Sequence, residues 1–268
     1  MPSGYHKHAT PEHQRIAENG TIFRCVVGST VHGISVKEQD DRDEMGICIE
    51  PREYVIGLQG FEQYITRTQP EGHRSGPGDL DLTIYSARKW MRLALAGNPT
   101  ILLPLFVPED AILVLHPIAE ELLMRRDMIL SKEAGDRFLG YLNRQRESLL
   151  SRNGKGRDVT RPELVEQFGF DTKFAGHMVR LGLQGVELME TGRITLPVPE
   201  PWRTWITGLR VGKHSQAEAL HLTLDLEEKL RQLRTTSPLP DHPDRRAADK
   251  WLVSAYERTW GSTLIEVP

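Results

Sequence analysis

The sequence predicts an α+β protein, with a sheet-bearing core over residues 1–115 followed by a helical region over residues 116–268. Two observations carry that reading. Apolar, β-favouring runs at residues 21–27 and 45–49 each end at a turn former, Gly28-Ser29 and Pro51. Beyond about residue 116 the apolar positions instead recur at a helical period.

Taken in order, residues 1–20 form a polar lead-in with a short helical stretch, and residues 21–27 form the first strand. Met45, Ile47 and Ile49 alternate, which marks a second strand. Residues 69–78 carry Gly72, Gly76, Pro77 and Gly78 and read as a loop. Trp90, Leu93 and Ala94 lie at helical spacing within residues 86–96, and Gly97-Asn98-Pro99 ends that helix. Further helices are expected over residues 118–124, 132–150, 162–168, 172–189, 218–233 and 247–259. Residues 151–157 read as a loop, and Pro-rich breaks fall at residues 197–201 and 238–243.

Charged residues make up 26% and hydrophobic residues 38%, a globular composition that excludes wholesale disorder. The net charge of −3 provides no general basic field, so any nucleic-acid contact needs a local patch. Cys25 and Cys48 sit in apolar runs and read as buried core thiols; no zinc-finger spacing is present. The first residues are polar and unlike a signal peptide, and Pro104, Pro108, Glu109 and Asp110 interrupt the most apolar stretch. A cytoplasmic protein without a membrane span is the expectation.

Three short motifs carry chemistry. Gly28-Ser29 follows a strand, where glycine admits a phosphate close to the backbone and serine offers a hydroxyl and an N–H. Asp41-Arg42-Asp43 leads into the second strand; residues two apart on an extended chain share a face, and paired carboxylates suit a divalent cation. Asp79-Leu80-Asp81 repeats that pattern, and either aspartate can reach the same site from a neighbouring strand. Each motif alone is common in surface turns. Together they are more informative.

The order of strand, Gly-Ser, Asp-x-Asp and a later carboxylate resembles the signature of the DNA polymerase beta superfamily of nucleotidyltransferases. The segment GSTVHGISVKEQDDRDEMGI is similar to the Gly-Ser-x-x-x-Gly, Asp-x-Asp, Gly-Ile/Val pattern of its bacterial and phage predicted-nucleotidyltransferase branch. DLDLTIYSARKWMRLALAGNPT resembles the branch's Asp-x-x-x-Tyr-Ser-x-x-Lys and Gly-Asn-Pro, while ILSKEAGDRFLGY and KFAGHMVRLGLQGVELMETG resemble its helical region. The likeness spans most of residues 23–193. Leu103-Pro104 departs from it, where relatives often carry an acidic residue.

The resemblance implies a small mixed β-sheet nucleotidyltransferase core with a helical C-terminal region. It further implies transfer of a nucleoside monophosphate from an NTP, ATP among them, with release of pyrophosphate. Asp41, Asp43 and Asp81 would be the catalytic metal ligands for Mg²⁺, or Mn²⁺ in its place; the Tyr-Ser-x-x-Lys register favours Asp81 over Asp79. Gly28, Ser29 and His32 would lie at the triphosphate, with Lys89 as a further phosphate contact. Lys173, His177 and Arg180 share one helical face and would wall the nucleotide or acceptor cleft. The acceptor stays open between an RNA 3′ end (tRNA included), a protein hydroxyl and a small molecule. A basic stretch over residues 144–161 is one candidate RNA surface. The alternative is a catalytically inactive nucleotide-binding or protein-interaction module.

Overall fold

The computed structural model describes residues 6–36, 41–69, 73, 75–76, 78–151 and 161–263. Five strands, β1 (Thr21–Val27), β2 (Arg42–Cys48), β3 (Gln63–Arg67), β4 (Leu80–Ser86) and β5 (Ile112–Leu115), form one mixed sheet in the order β3-β4-β2-β1-β5. β2 and β4 are parallel, whereas the other neighbouring pairs are antiparallel. The N-terminal ends of β2 and β4 and the C-terminal end of β1 therefore meet at one end of the three central strands. The chain's carboxylate and Gly-Ser motifs all fall there.

The helices, taken in chain order, are α1 (Pro11–Gly20), α2 (Gly28–Val31), α3 (Arg52–Val55), α4 (Ala87–Leu95), α5 (Pro99–Leu102) and α6 (Pro117–Met124). They continue as α7 (Lys132–Ser151), α8 (Pro162–Phe168), α9 (Thr172–Thr191), α10 (Trp202–Arg210), α11 (Gln216–Thr236) and α12 (Arg245–Thr263). Local capping explains several starts. The Ser86 hydroxyl accepts from Lys89 N and opens α4, Asn98 accepts from Thr100 N ahead of α5, and Ser215 with Glu218 builds a capping box on α11.

Alternation splits the strands between two faces. Phe23, Cys25, Met45 and Ile47 pack beneath Trp90, Met91 and Ala94 of α4, and Ala248, Trp251 and Ala255 of α12 join the same cluster. That core therefore draws residues from both sides of position 115. Cys48, Leu82 and Ile84 face the other way, against Ile16 and Ala17 of α1. Burial pushes the Cys25 thiol up to about 12 and raises Cys48 as well, so both stay protonated and unreactive.

One close approach packs the C-terminal helices together, and one set of contacts ties them to the strands. α7 and α9 pack closely because Gly185 has no side chain: a Cβ there would sit 2.8 Å from Phe138 Cβ. At the end of β2, buried Glu50 accepts from Tyr256 Oη at 2.8 Å, and Trp260 Nε1 donates to the Glu50 carbonyl at 3.1 Å. Burial raises the Glu50 pKa, and the tyrosine bond partly offsets that cost.

β2 begins at Arg42, three residues before the alternation at Met45 signals it, which places Asp43 inside the strand. β3, β5 and α10 are additional elements. β3 and β5 are only 5 and 4 residues long, too short for a periodic signal, and α10 directly follows the Pro-rich break. Residues 152–157 of the expected loop lie outside the described residues. Among the described residues no helix is long and apolar enough to cross a membrane.

Candidate active site

Strand register assembles the site. Asp43 pairs with Asp81 across the parallel β2/β4 ladder and with Val27 across β1/β2. Partners level with each other on neighbouring strands present side chains to the same face. The chain turns directly after Val27, where Gly28 adopts φ +71°, a left-handed conformation natural only to glycine. A Cβ at Gly28 would lie 2.0 Å from Asp43 Oδ2, so the loop's first residue rests against the metal-ligating candidate itself.

Asp41, Asp43 and Asp81 each offer an oxygen such that all three lie within 4.8 Å of one another. Three like charges so close repel strongly, and a hard divalent cation is the natural remedy for such an oxygen-only, half-buried set. The residues present fit such an ion. Asp79 is used differently. Its carboxylate accepts from Thr68 Oγ1 at 2.9 Å and from Gly76 N at 3.0 Å, tying down the β3–β4 connection outside the cluster.

Asp81 is surrounded by donors from that same connection. Gln69 Nε2 donates to Oδ1 at 3.1 Å, Ser75 Oγ donates to Oδ2 at 3.0 Å, and Arg67 Nε lies 3.6 Å from Oδ1. None of the three carries a motif signature in the sequence. Arg67 is found only through the β3/β4 register, which sets it level with Asp81.

The opposite wall comes from α9 and α10. Lys173, His177, Arg180 and Arg210 line the cleft with Gly28, Ser29, His32, Asp43 and Asp81 around about 380 Å³. Arg180 donates through Nη1 to Gln184 Oε1 at 2.8 Å, and the same nitrogen lies 2.7 Å from His32 Nε2. Its Nη2 lies 3.1 Å from His177 Nδ1. A guanidinium can only donate, so both facing histidine nitrogens accept and both rings are neutral. Burial lowers His32 well below its ordinary value, with Arg180 adding to the effect, and burial with Arg180 and Arg161 holds His177 down to about 3. Burial also pushes Arg180 down to about 10, against the opposing attraction of Asp43, which leaves it cationic at neutral pH.

This wall also grips the Gly-Ser loop. Val198 N donates to the His32 carbonyl at 3.0 Å, and the buried Arg210 donates through Nη1 to the Ile34 carbonyl at 2.5 Å. His32 is fully buried at 1% exposure, so it positions Arg180 from behind the loop. Arg210 and Gln184 are functional candidates that sequence reasoning missed: Arg210 lies at the end of the unanticipated α10, and Gln184 sits one turn beyond the Lys173, His177, Arg180 face.

Lys89 is placed elsewhere. Its ammonium donates to Glu62 Oε2 at 2.9 Å and stands 6.0 Å from the ring centre of Tyr85, so Lys89 is not among the residues that line the cleft. Only part of the basic stretch over residues 144–161 lies among the described residues. Arg146 pairs with Glu227, Arg161 pairs with Asp171 at 3.2 Å, and Arg152, Lys155 and Arg157 lie outside the described residues.

A family model described as RlaP, RNA repair pathway DNA polymerase beta family, matches residues 6–254. No curated protein matches significantly. A solved structure titled as a nucleotidyltransferase-like protein from Exiguobacterium sibiricum is similar at 11% identity, covering 91% of this chain and 77% of that one with a TM-score of 0.30.

Two outcomes follow from this geometry. Gly28→Ala drives a methyl group into Asp43 and strains φ, so NTP affinity measured by calorimetry falls at least ~10-fold, about 1.4 kcal/mol, with the far-UV dichroism spectrum retained. Unchanged affinity would show that the loop does not depend on this approach. His177 is depressed in the folded chain, so below 6.5 the unfolded chain binds a proton that the folded chain refuses. Its contribution to stability is therefore full above pH 6.5 and lost as pH falls toward about 3. In urea titrations His177→Gln flattens the loss of stability over that window; an unchanged slope would contradict a neutral His177.

Proposed function

The chain belongs to the RNA repair pathway DNA polymerase beta family, and on that premise we propose that it transfers a nucleoside monophosphate from an NTP to the terminal hydroxyl of an RNA, releasing pyrophosphate. The observation that carries this reading is the convergence of Asp41, Asp43 and Asp81 beside Gly28-Ser29, with a cationic wall opposite. Nucleotidyl transfer needs a place for three charged phosphates next to a place for a hydroxyl to lose its proton.

Gly28 and Ser29 would receive the triphosphate through backbone N–H groups and the Ser29 hydroxyl. Lys173, Arg180 and Arg210 would spread its charge over the opposite wall, and Gln184 with the neutral His32 and His177 keeps the Arg180 guanidinium aimed. Asp41, Asp43 and Asp81 would hold Mg²⁺ or Mn²⁺, which when bound supplies positive charge to the phosphates and to the attacking hydroxyl. Asp81 lies on the side away from Gly28 and would take the acceptor's proton. The acceptor oxygen then bonds to the α-phosphorus as the bond to the bridging oxygen of pyrophosphate breaks.

An RNA acceptor is supported by the family's description and by the rim next to Asp81. The side chain of Arg67 there is 52% exposed and lies 3.6 Å from Asp81 Oδ1. An exposed arginine beside the acceptor-side carboxylate suits a phosphodiester chain.

The test is incubation with each α-labelled NTP and Mg²⁺ in the presence of total cell RNA and protein. Label in the RNA fraction is expected; label in other proteins alone would move the acceptor to a protein hydroxyl. Under single-turnover conditions Asp81→Ala lowers the transfer rate ~100-fold or more, the size expected when a positioned proton acceptor is lost, and changes NTP affinity little. Asp79→Ala costs much less, because its bonds serve only the β3–β4 connection. An inactive Asp79→Ala beside an active Asp81→Ala would reverse the assignment.

A further inference from the structure

Ser75 sets a hydroxyl directly against Asp81. Its Oγ donates to Asp81 Oδ2 at 3.0 Å, the carboxylate assigned above to proton removal. Gln69 Nε2 donates both to Ser75 Oγ at 2.5 Å and to Asp81 Oδ1 at 3.1 Å, bracing hydroxyl and carboxylate as one unit. With Gln69 supplying a hydrogen to Oγ, the serine's own hydrogen points at Asp81, the orientation of a nucleophile facing its base. Other hydroxyls nearby are engaged differently: Thr68 Oγ1 donates to Asp79, and Ser35 Oγ donates to Ser29 Oγ at 3.4 Å. Asp79 supports the arrangement from behind, since its bond to Gly76 N fixes the backbone next to Ser75.

We propose that Ser75 is an acceptor in cis, so that the chain transfers a nucleoside monophosphate onto its own Ser75 Oγ. The inference rests on the functional reading above and adds a modification site to it. The bond formed is Ser75 Oγ to the α-phosphorus of the NTP. The bond broken joins that phosphorus to the bridging oxygen, which leaves with pyrophosphate, and the hydroxyl proton passes to the Asp81 carboxylate and then to solvent. The product carries a phosphodiester and a nucleoside across Asp81, where an external acceptor would have to enter. Self-modification therefore closes the acceptor side until the nucleotide is removed.

The experiment incubates the purified full-length chain with Mg²⁺ and each α-labelled NTP, without any acceptor, and follows intact mass, gel label and peptide mapping. The expected result is one nucleotide per chain on Ser75, formed at a rate per chain that does not change on dilution. Ser75→Ala loses the label at least tenfold, Ser75→Thr retains part of it, and Asp43→Asn abolishes it. Label mapped to another residue, label undiminished in Ser75→Ala, or a rate per chain that rises with protein concentration would overturn the proposal. So would a chain that labels added RNA but never itself, which would leave the functional reading standing. A chain that labels neither itself nor RNA would remove that reading and this inference together.

Discussion

β2 and β4 lie parallel and in register, so Asp43 and Asp81 stand level on neighbouring strands, roughly 4.8 Å apart by ordinary strand spacing. Parallel pairing requires a crossover connection, and here residues 49–79 supply it, with β3 laid antiparallel along the outside of β4. That single topological choice brings together residues nearly forty positions apart in sequence. It also brings two negative charges face to face, and Asp41 adds a third. The donors gathered around Asp81 and the cation of Arg180 near Asp43 are the protein's own partial answers to that repulsion.

The second constraint is mutual. The loop after β1 has to press against Asp43, which only a glycine in a left-handed conformation allows. A loop held that closely needs support from the far side, and α9, α10 and the segment between them provide it through the His32 and Ile34 carbonyls and the His32 ring. The same helices present Lys173, Arg180 and Arg210 to the cleft. The helical region therefore acts as half of the site as well as a covering for the sheet. The buried His32 and the half-buried His177 work as neutral acceptors that hold a guanidinium in place, a task for which a charged ring would be unsuitable.

The parts legible in the sequence were those with a local signature. Gly28-Ser29 after an apolar run, Asp41 and Asp43 ahead of an alternating strand, and the shared face of Lys173, His177 and Arg180 all depend on spacing within one element. The Tyr-Ser-x-x-Lys register favours Asp81 over Asp79, but the geometry behind that choice is not local: Asp79 binds the turn through Thr68 and Gly76, while the pairing of β4 with β2 sets Asp81 level with Asp43. Lys89 shows the reverse. Its spacing from Tyr85-Ser86 suggested phosphate, yet the start of α4 directs it to Glu62. The contacts of Arg67, Gln69, Ser75 and Arg210 were invisible because they arise from a five-residue strand, its following loop and a helix after a Pro-rich break. No periodicity reveals contacts of that kind.

Catalysis at this cleft requires the three aspartates to act together as a divalent-cation site coupled to the nucleotide. Manganese titration followed by electron paramagnetic resonance, in the presence of a non-hydrolysable NTP analogue, measures this without any acceptor. The wild-type chain should bind Mn²⁺ with the nucleotide, and Asp43→Asn should weaken that binding by an order of magnitude or more, about 1.4 kcal/mol per tenfold. Asp79→Asn should leave it unchanged. Equal Mn²⁺ affinity in wild type and Asp43→Asn, or a loss confined to Asp79→Asn, would contradict the site described here.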